Sequence, residues 1–147
     1  MTDNQTPQKR RRPYYHYEKI MAHLSMIMGI INRMAACSFV VKAFSILFML
    51  VGVWTIIDPL VPSYGFLAVH IPICMMWWLD GFYLRQERLF RKVYDRERTM
   101  PNTTYDMSPA EFMNDSDSSQ GIVMFSQTLI VFYASQWICL TLLSLLA

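Results

Sequence analysis

The sequence predicts an all-α, polytopic membrane protein with a transmembrane helical hairpin, cytoplasmic amphipathic helices and a third, C-terminal apolar helix. Hydrophobic residues make up 54% of the 147 positions and charged residues only 16%, whereas about 25% charged residues is usual for soluble domains. The apolar residues form long blocks, and residues 121–147 contain no Asp, Glu, Lys, Arg or His. A chain of this length has too little interior to bury such blocks, so we expect the lipid bilayer to cover them.

The distribution of basic residues predicts the topology. All thirteen Lys and Arg residues lie in residues 1–42 or 85–98. Basic segments beside a span resist translocation, so both regions are expected in the cytoplasm. The turn at residues 58–64 has no basic residue and is expected outside. We therefore expect a multi-pass protein of the cell inner membrane, with a cytoplasmic N-terminus and, if the third apolar helix spans, a periplasmic C-terminus.

Composition and periodicity divide the chain into six regions. Apolar residues at spacings of three and four indicate helices, and clusters of polar residues indicate linkers. The predicted regions are a basic disordered tail (1–13), an amphipathic interfacial helix (14–34), the transmembrane hairpin (35–84), a cytoplasmic helix extension (85–98), a polar linker with one short helix near residues 109–114 (99–120) and a third apolar, transmembrane helix (121–147).

Lys42 and Asp80 form the most informative pair of charges. The turn of the hairpin centres near Val61, and each charge lies nineteen positions from it, on opposite sides. Antiparallel helices then place both at nearly the same depth. An unpaired charge near the bilayer core costs about 2.5–3.5 kcal/mol on insertion scales, which an opposite charge offsets. The spacing predicts an intramembrane ion pair, acting either as a gate or proton relay, or as a structural clasp whose charges reach the head groups.

His70, Gln127 and Gln136 are further polar residues in the predicted spans. A histidine in the outer half of a span suits a pH sensor or a pore lining, or a neutral side chain hydrogen-bonded to a neighbouring helix. The two glutamines, with Ser126 and Ser135, are typical of hydrogen bonds between packed membrane helices. We expect a homo-oligomer, or packing within one chain, to use them.

The helix extension carries Arg85, Arg88, Arg91 and Lys92, which are candidate contacts for a cytoplasmic protein partner or for lipid head groups. Acidic residues interleaved with these cations lower the net charge of the segment. We therefore expect a solvated face or a protein partner, and no nucleic acid.

Enzymatic motifs are absent from the sequence. There is no glycine-rich phosphate loop, HExxH, paired CxxC or nucleophile elbow. His16 and His23 are seven positions apart, and no cysteine or carboxylate completes a metal site with them. We expect no enzyme, no cofactor and no metal ion.

Two stretches carry a resemblance. The first is HLSMIMGIINRM at residues 23–34, followed by Ser38, Phe39 and Lys42, and the second is WLDGFYLRQERLFRKVYD at residues 78–95. They resemble a family of small, mostly uncharacterised bacterial inner-membrane proteins with a two-helix hairpin and an Arg-rich cytoplasmic helix. In architecture the chain is similar to two-helix membrane effectors of anti-phage systems, which oligomerise and breach the inner membrane when triggered.

Three functions fit these features. The first is a self-associating sensor or effector of the bacterial inner membrane, which the resemblance connects with anti-phage defence through perturbation of the membrane. The alternative is a passive membrane anchor or assembly subunit that recruits a cytoplasmic partner through residues 85–98. A third interpretation, a subunit of a small-solute transporter, would use Lys42, Asp80 and His70 and would require oligomerisation to enclose a path.

Overall fold

The protein is built from helices throughout its described part. The computed structural model describes residues 8–58, 60, 65–100 and 105–146. Two long helices, α1 (Gln8–Ile57) and α2 (Gly65–Thr99), are followed by the short α3 (Gln120–Met124) and by α4 (Gln127–Leu146), with two 3-10 helices at Ala110–Phe112 and Ser116–Ser118. No strand occurs in these residues. The predicted all-α fold is confirmed.

Helix α1 is one uninterrupted helix of 50 residues, about 75 Å long at the usual rise of 1.5 Å per residue. The composition of this stretch predicts a tail, an interfacial helix and a first span. The structure has no break between them, because no proline or paired glycine interrupts residues 14–57. Residues 8–13 of the predicted tail belong to α1, and residues 1–7 lie outside the described part of the chain.

Helices α1 and α2 form an antiparallel hairpin. The turn begins after α1 ends, where the backbone N–H of Asp58 donates a hydrogen bond to the carbonyl of Trp54 at 3.0 Å. The rest of the predicted turn, apart from Leu60, lies outside the described residues. At the far end of the hairpin, which we call the open end, Ile27 and Ile31 of α1 pack on Val93 of α2. The apolar stripe predicted within residues 14–34 therefore covers α2.

The third long helix, α4, packs against both arms of the hairpin near the turn. Val69 and Ile73 of α2 form a buried core with residues of α4, among them Leu129 and Leu140. Gly52 of α1 allows a close approach at this point. A Cβ atom at position 52 would lie 3.0 Å from Cδ2 of Leu140 and 3.2 Å from Cγ1 of Val69.

Two described helices are long and apolar enough to cross a membrane, namely residues Tyr17–Ile57 of α1 and Gln127–Leu146 of α4. Helix α2, predicted as the second span, is not one of them. Asp80 limits its uncharged part to residues 65–79. This segment is shorter than the roughly 20 residues that a spanning helix needs.

The predicted third helix, residues 121–147, is divided in two. Helix α3 ends at Met124, and Phe125 caps it with φ −91° and ψ 19°, outside the regular helical region. Helix α4 starts at Gln127. The break coincides with a contact on α2, because a Cβ atom at Gly81 would lie only 2.6 Å from Cγ of Met124. Close packing of α3 on α2 thus fixes where α4 begins.

The short helix predicted near residues 109–114 is a 3-10 helix of three residues with Pro109 at its N-cap. The sequence suggests a capping box between Ser108 and Glu111. In the structure Glu111 instead accepts a hydrogen bond from Arg96 at 2.8 Å. The side chain that would have capped the helix therefore contacts α2.

Candidate functional site

The Lys42–Asp80 pair is present and joins the two arms of the hairpin. Lys42 Nζ lies 2.6 Å from Asp80 Oδ2 and 2.8 Å from Oδ1. The Asp80 side chain is completely buried, whereas 30% of the Lys42 side chain is exposed. The ammonium group therefore lies at the edge of the site and the carboxylate at its centre.

Two hydroxyl groups complete the surroundings of the Asp80 carboxylate. Ser38 donates to Oδ1, and the Tyr133 hydroxyl lies 3.2 Å from Oδ2. Both partners are buried. Hydrogen bonds to a charged acceptor stabilise a fold more than those between neutral groups, so all three donors favour one position of the carboxylate.

A second hydrogen-bonded chain extends the site toward the turn. Gln136 Nε2 of α4 donates to Ser45 Oγ at 3.1 Å, and Ser45 Oγ lies 2.8 Å from the carbonyl of Lys42. Gln136 and Ser45 are buried. We call the six residues of this site, contributed by α1, α2 and α4, the polar cluster: Ser38, Lys42, Ser45, Asp80, Tyr133 and Gln136.

Helical periodicity explains why these residues meet. Ser38, Lys42 and Ser45 are four and three positions apart, so they lie on one face of α1. Tyr133 and Gln136 are three positions apart on α4, between the buried Leu129 and Leu140. Each helix therefore presents a polar patch within an apolar stripe, which makes the register of the three helices specific.

The charges in the polar cluster depend on each other. Removing one partner of a buried ion pair costs about 3–5 kcal/mol, because the remaining charge is left without a partner. The cluster can therefore hold the three helices in one register, and it can destabilise that register when its hydrogen bonds are rearranged. Gln136 Oε1 is buried and accepts no hydrogen bond from any described residue. Hydrogen bonding in the cluster is therefore least complete on α4.

The other polar residues predicted within the spans lie apart from this cluster. His70 packs edge-on against the ring of Trp137, with ring centroids 5.0 Å apart. Gln127 is exposed at the first position of α4, and Ser135 is exposed and donates to its own helix at Phe132. Of the predicted set, Gln136 alone joins Lys42 and Asp80.

The site predicted from the sequence did not include Ser38, Ser45 or Tyr133. A signal was available on α1, because the two serines flank Lys42 at helical spacing. Tyr133 is three positions before Gln136, which also fits one helix face. Its contact with Asp80 depends on how α4 docks, and the helical pattern alone does not determine that.

The predicted partner-binding cations are largely engaged by the chain itself. Arg85 Nε donates to the carbonyl of Ser118 at 2.6 Å. Lys92 Nζ lies 2.7 Å from Asp115 Oδ2, and Arg91 pairs with Glu87 on α2 at 2.5 Å. Arg88 is half-buried. Residues 105–118 of the predicted linker thus lie on α2, and we call them the acidic strap.

A second charged group lies at the open end of the hairpin. Arg96 donates to Glu111 at 2.8 Å and to the carbonyl of Asp106 at 2.9 Å, and it lies 3.2 Å from the buried Glu97. His23 Nε2 of α1 is 3.8 Å from Glu97 Oε2. The hydrogen bond with Glu111 raises the pKa of Arg96 above its ordinary value, with a further contribution from Glu97 and an opposing one from burial.

The described residues contain no group of three or more His, Cys, Asp or Glu side chains arranged to hold a metal ion. His23 packs edge-on against Tyr105, with ring centroids 5.3 Å apart. The side chain of His16, the other histidine considered from the sequence, lies outside the described residues.

Comparison of the chain with protein-family models, with curated proteins and with solved structures finds no match in any of the three.

Proposed function

We propose that this chain is a self-associating sensor or effector of a bacterial inner membrane, in which α1 and α4 cross the bilayer and α2 crosses with Asp80, paired with Lys42, included in its span. The observation that carries the membrane location is the exposure of the apolar helices. Within the most apolar 18-residue stretch of each helix, only 17% of α1 and 22% of α4 is buried inside the protein. Water is an unfavourable environment for such surfaces, and hydrocarbon is a favourable one.

The exposed apolar residues follow the length of both helices. In α1 and α4 they include large aromatic and aliphatic side chains more than half exposed: Phe39, Leu47, Leu50, Trp54, Val131, Ile138, Leu142 and Leu145. Lipid or a second copy of the chain would cover them. The open end of the hairpin then extends into the cytoplasm, because the basic residues at positions 85–98 belong to it.

The polar cluster supports a role in sensing rather than simple anchoring. A bilayer anchor needs no charge in its span, and a charged residue there is costly. Here a buried carboxylate is held by donors from two other helices, so any signal that moves one helix changes the contacts of the others. We propose that the cytoplasmic ends of α1 and α2 receive the signal, and that repacking around Asp80 perturbs the membrane.

Expression of the chain in bacterial cells tests the effector role. We expect growth arrest and loss of membrane potential, measured with a potential-sensitive dye, and we expect Asp80→Ala to abolish both at equal abundance. Asp95→Ala is the matched control, because Asp95 is an exposed carboxylate on the same helix. Normal membrane potential at high expression of the unaltered chain would refute the effector role.

Cysteine labelling tests the topology separately. With the three native cysteines replaced, a cysteine at the exposed Leu60 should react with an impermeant maleimide added to intact cells. A cysteine at the exposed Tyr17 should react only after the membrane is opened. Equal labelling of both sites in intact cells would contradict the proposed orientation.

The second candidate is a passive anchor that recruits a cytoplasmic partner, and one observation favours it. A groove of about 330 Å³ lies between α1 and α2 near the open end, lined by Met28, Asn32, Arg91 and Tyr94 among others. Its mixed polar and apolar lining suits a protein side chain. An anchor of this kind should co-purify with one partner and cause no toxicity when expressed alone.

A further inference from the structure

The acidic strap lies along a stripe of three cations on α2. Arg85, Lys92 and Arg96 are seven and four positions apart, so they share one face of the helix. Each contacts a different part of the strap. The partners are the carbonyl of Ser118 for Arg85, the carboxylate of Asp115 for Lys92 and the carboxylate of Glu111 for Arg96.

Charge complementarity explains this arrangement. Residues 99–147 contain no Lys or Arg, and the strap carries four acidic residues. The contacts are charge-assisted hydrogen bonds, which are shorter and stronger than neutral ones. Arg96 also lies over the ring of Phe112, 5.8 Å from its centroid, and this contact adds an apolar component to the docking of the strap.

The strap continues directly into the segment that fixes the start of α4. After Ser118 the chain enters α3, whose Met124 packs on Gly81. The Met124 carbonyl accepts a hydrogen bond from Trp77 Nε1 at 3.1 Å. Helix α4 begins three residues after Met124 and carries Tyr133 and Gln136 into the polar cluster. We therefore expect the position of both residues to depend on how the strap and α3 are attached to α2.

We infer that the acidic strap is a latch that holds α4 in the polar cluster. While the strap is docked, Tyr133 and Gln136 stay against Asp80 and Ser45. Release of the strap frees the start of α4, and the two hydrogen bonds to the other helices are lost. The inference rests on the proposed function for the membrane location of α4, and it identifies the contact through which a cytoplasmic signal reaches Asp80.

Disulfide trapping in membranes measures this coupling at the far end of α4. The reporter is Gly52→Cys with Leu140→Cys in a chain lacking the native cysteines, since positions 52 and 140 are in contact. The rate of crosslinking by a mild oxidant reports how closely α4 stays on α1. Asp115→Lys replaces the ion pair with Lys92 by two cations that repel each other. This variant should lower the crosslinking rate several-fold.

Asp117→Lys is the matched control. It makes the same charge change two residues away, at an exposed position whose carboxylate forms no ion pair with any described residue. Its rate should equal that of the parent reporter. The exchanged pair Lys92→Asp with Asp115→Lys should restore the rate, because it recreates the ion pair in the opposite direction.

Two results would overturn the latch. An unchanged rate in Asp115→Lys would show that α4 holds its place without the strap. Equal slowing in Asp117→Lys and in the exchanged pair would show a general loss of packing rather than release of a specific contact. Crosslinking does not depend on toxicity, so a latch found without depolarisation would leave this inference standing and remove the effector role.

Discussion

Tyr133 and Lys42 reach the same oxygen of Asp80 from different helices. The Tyr133 hydroxyl lies 3.2 Å from Asp80 Oδ2, and Lys42 Nζ lies 2.6 Å from it. An ion pair between two arms of a hairpin would by itself leave α4 free. The shared oxygen makes the carboxylate a junction of three helices, so its loss should affect α4 as well as the hairpin.

Replacement of Tyr133 by phenylalanine should loosen α4 selectively. The change removes one hydrogen bond to a buried carboxylate and keeps the ring, so we expect a loss of about 1.5–3 kcal/mol in the free energy of unfolding. Denaturant titration in detergent micelles, followed by circular dichroism, measures it. Tyr83→Phe is the control, because the Tyr83 hydroxyl forms no hydrogen bond with the described residues. Equal losses in the two variants would contradict the role of the Tyr133 hydroxyl.

A double-mutant cycle should reveal strong coupling between Lys42 and Asp80. Lys42→Met leaves the buried Asp80 carboxylate without its charged partner, so we expect it to cost about 3–5 kcal/mol. Asp80→Asn leaves Lys42, which is partly exposed, so its cost should be smaller. The double variant should cost much less than the two single costs added together. The exposed pair of Asp95 and Arg98, 3.5 Å apart, is the control and should show little coupling because solvent screens it. Additive effects at Lys42 and Asp80 would mean that the pair does not stabilise the fold.

The sequence could predict this pair but not its third partner. Lys42 and Asp80 stand out because they are charges in apolar helices at equal distances from a turn, and antiparallel geometry then brings them together. Tyr133 is an ordinary residue for an apolar helix, and its position depends on Gly81 and on strap contacts that bridge distant parts of the chain. The sequence also did not predict that α1 is continuous. The polarity of the chain changes near Met34, but this change does not interrupt the helical backbone.

The two glycines of α1, Gly52 and Gly29, should respond in opposite ways to replacement by leucine. At Gly52 a side chain would meet Leu140 and Val69 within 3.2 Å, and such overpacking costs about 1–3 kcal/mol. At Gly29 a Cβ atom would meet nothing within 4 Å, so Gly29→Leu should stabilise α1 by up to about 1 kcal/mol through helix propensity. Thermal unfolding followed by circular dichroism distinguishes the expected destabilisation by Gly52→Leu from the expected stabilisation by Gly29→Leu. Stabilisation by Gly52→Leu would contradict the close packing of α4 on α1.

Arg96 should control the local stability of the acidic strap. Arg96→Gln removes the contacts with Glu111 and the Asp106 carbonyl and weakens the packing on Phe112. Loss of about 1.4 kcal/mol corresponds to a tenfold change in an opening equilibrium, so amide hydrogen exchange in residues 110–118 should be at least about tenfold faster. Mass spectrometry of the protein in nanodiscs measures this rate.

Arg98→Gln is the control for the Arg96 variant. Arg98 is an exposed arginine two residues away, and it pairs with Asp95 on α2. Exchange in the strap should be unaffected by its loss. The Arg96 contacts lie far from the polar cluster along α2. If the faster exchange is confined to the strap, then α3 holds α4 in place without the strap, through the contact of Met124 with Gly81. Faster exchange that continues into the first turns of α4 would mean that the strap and α4 open together.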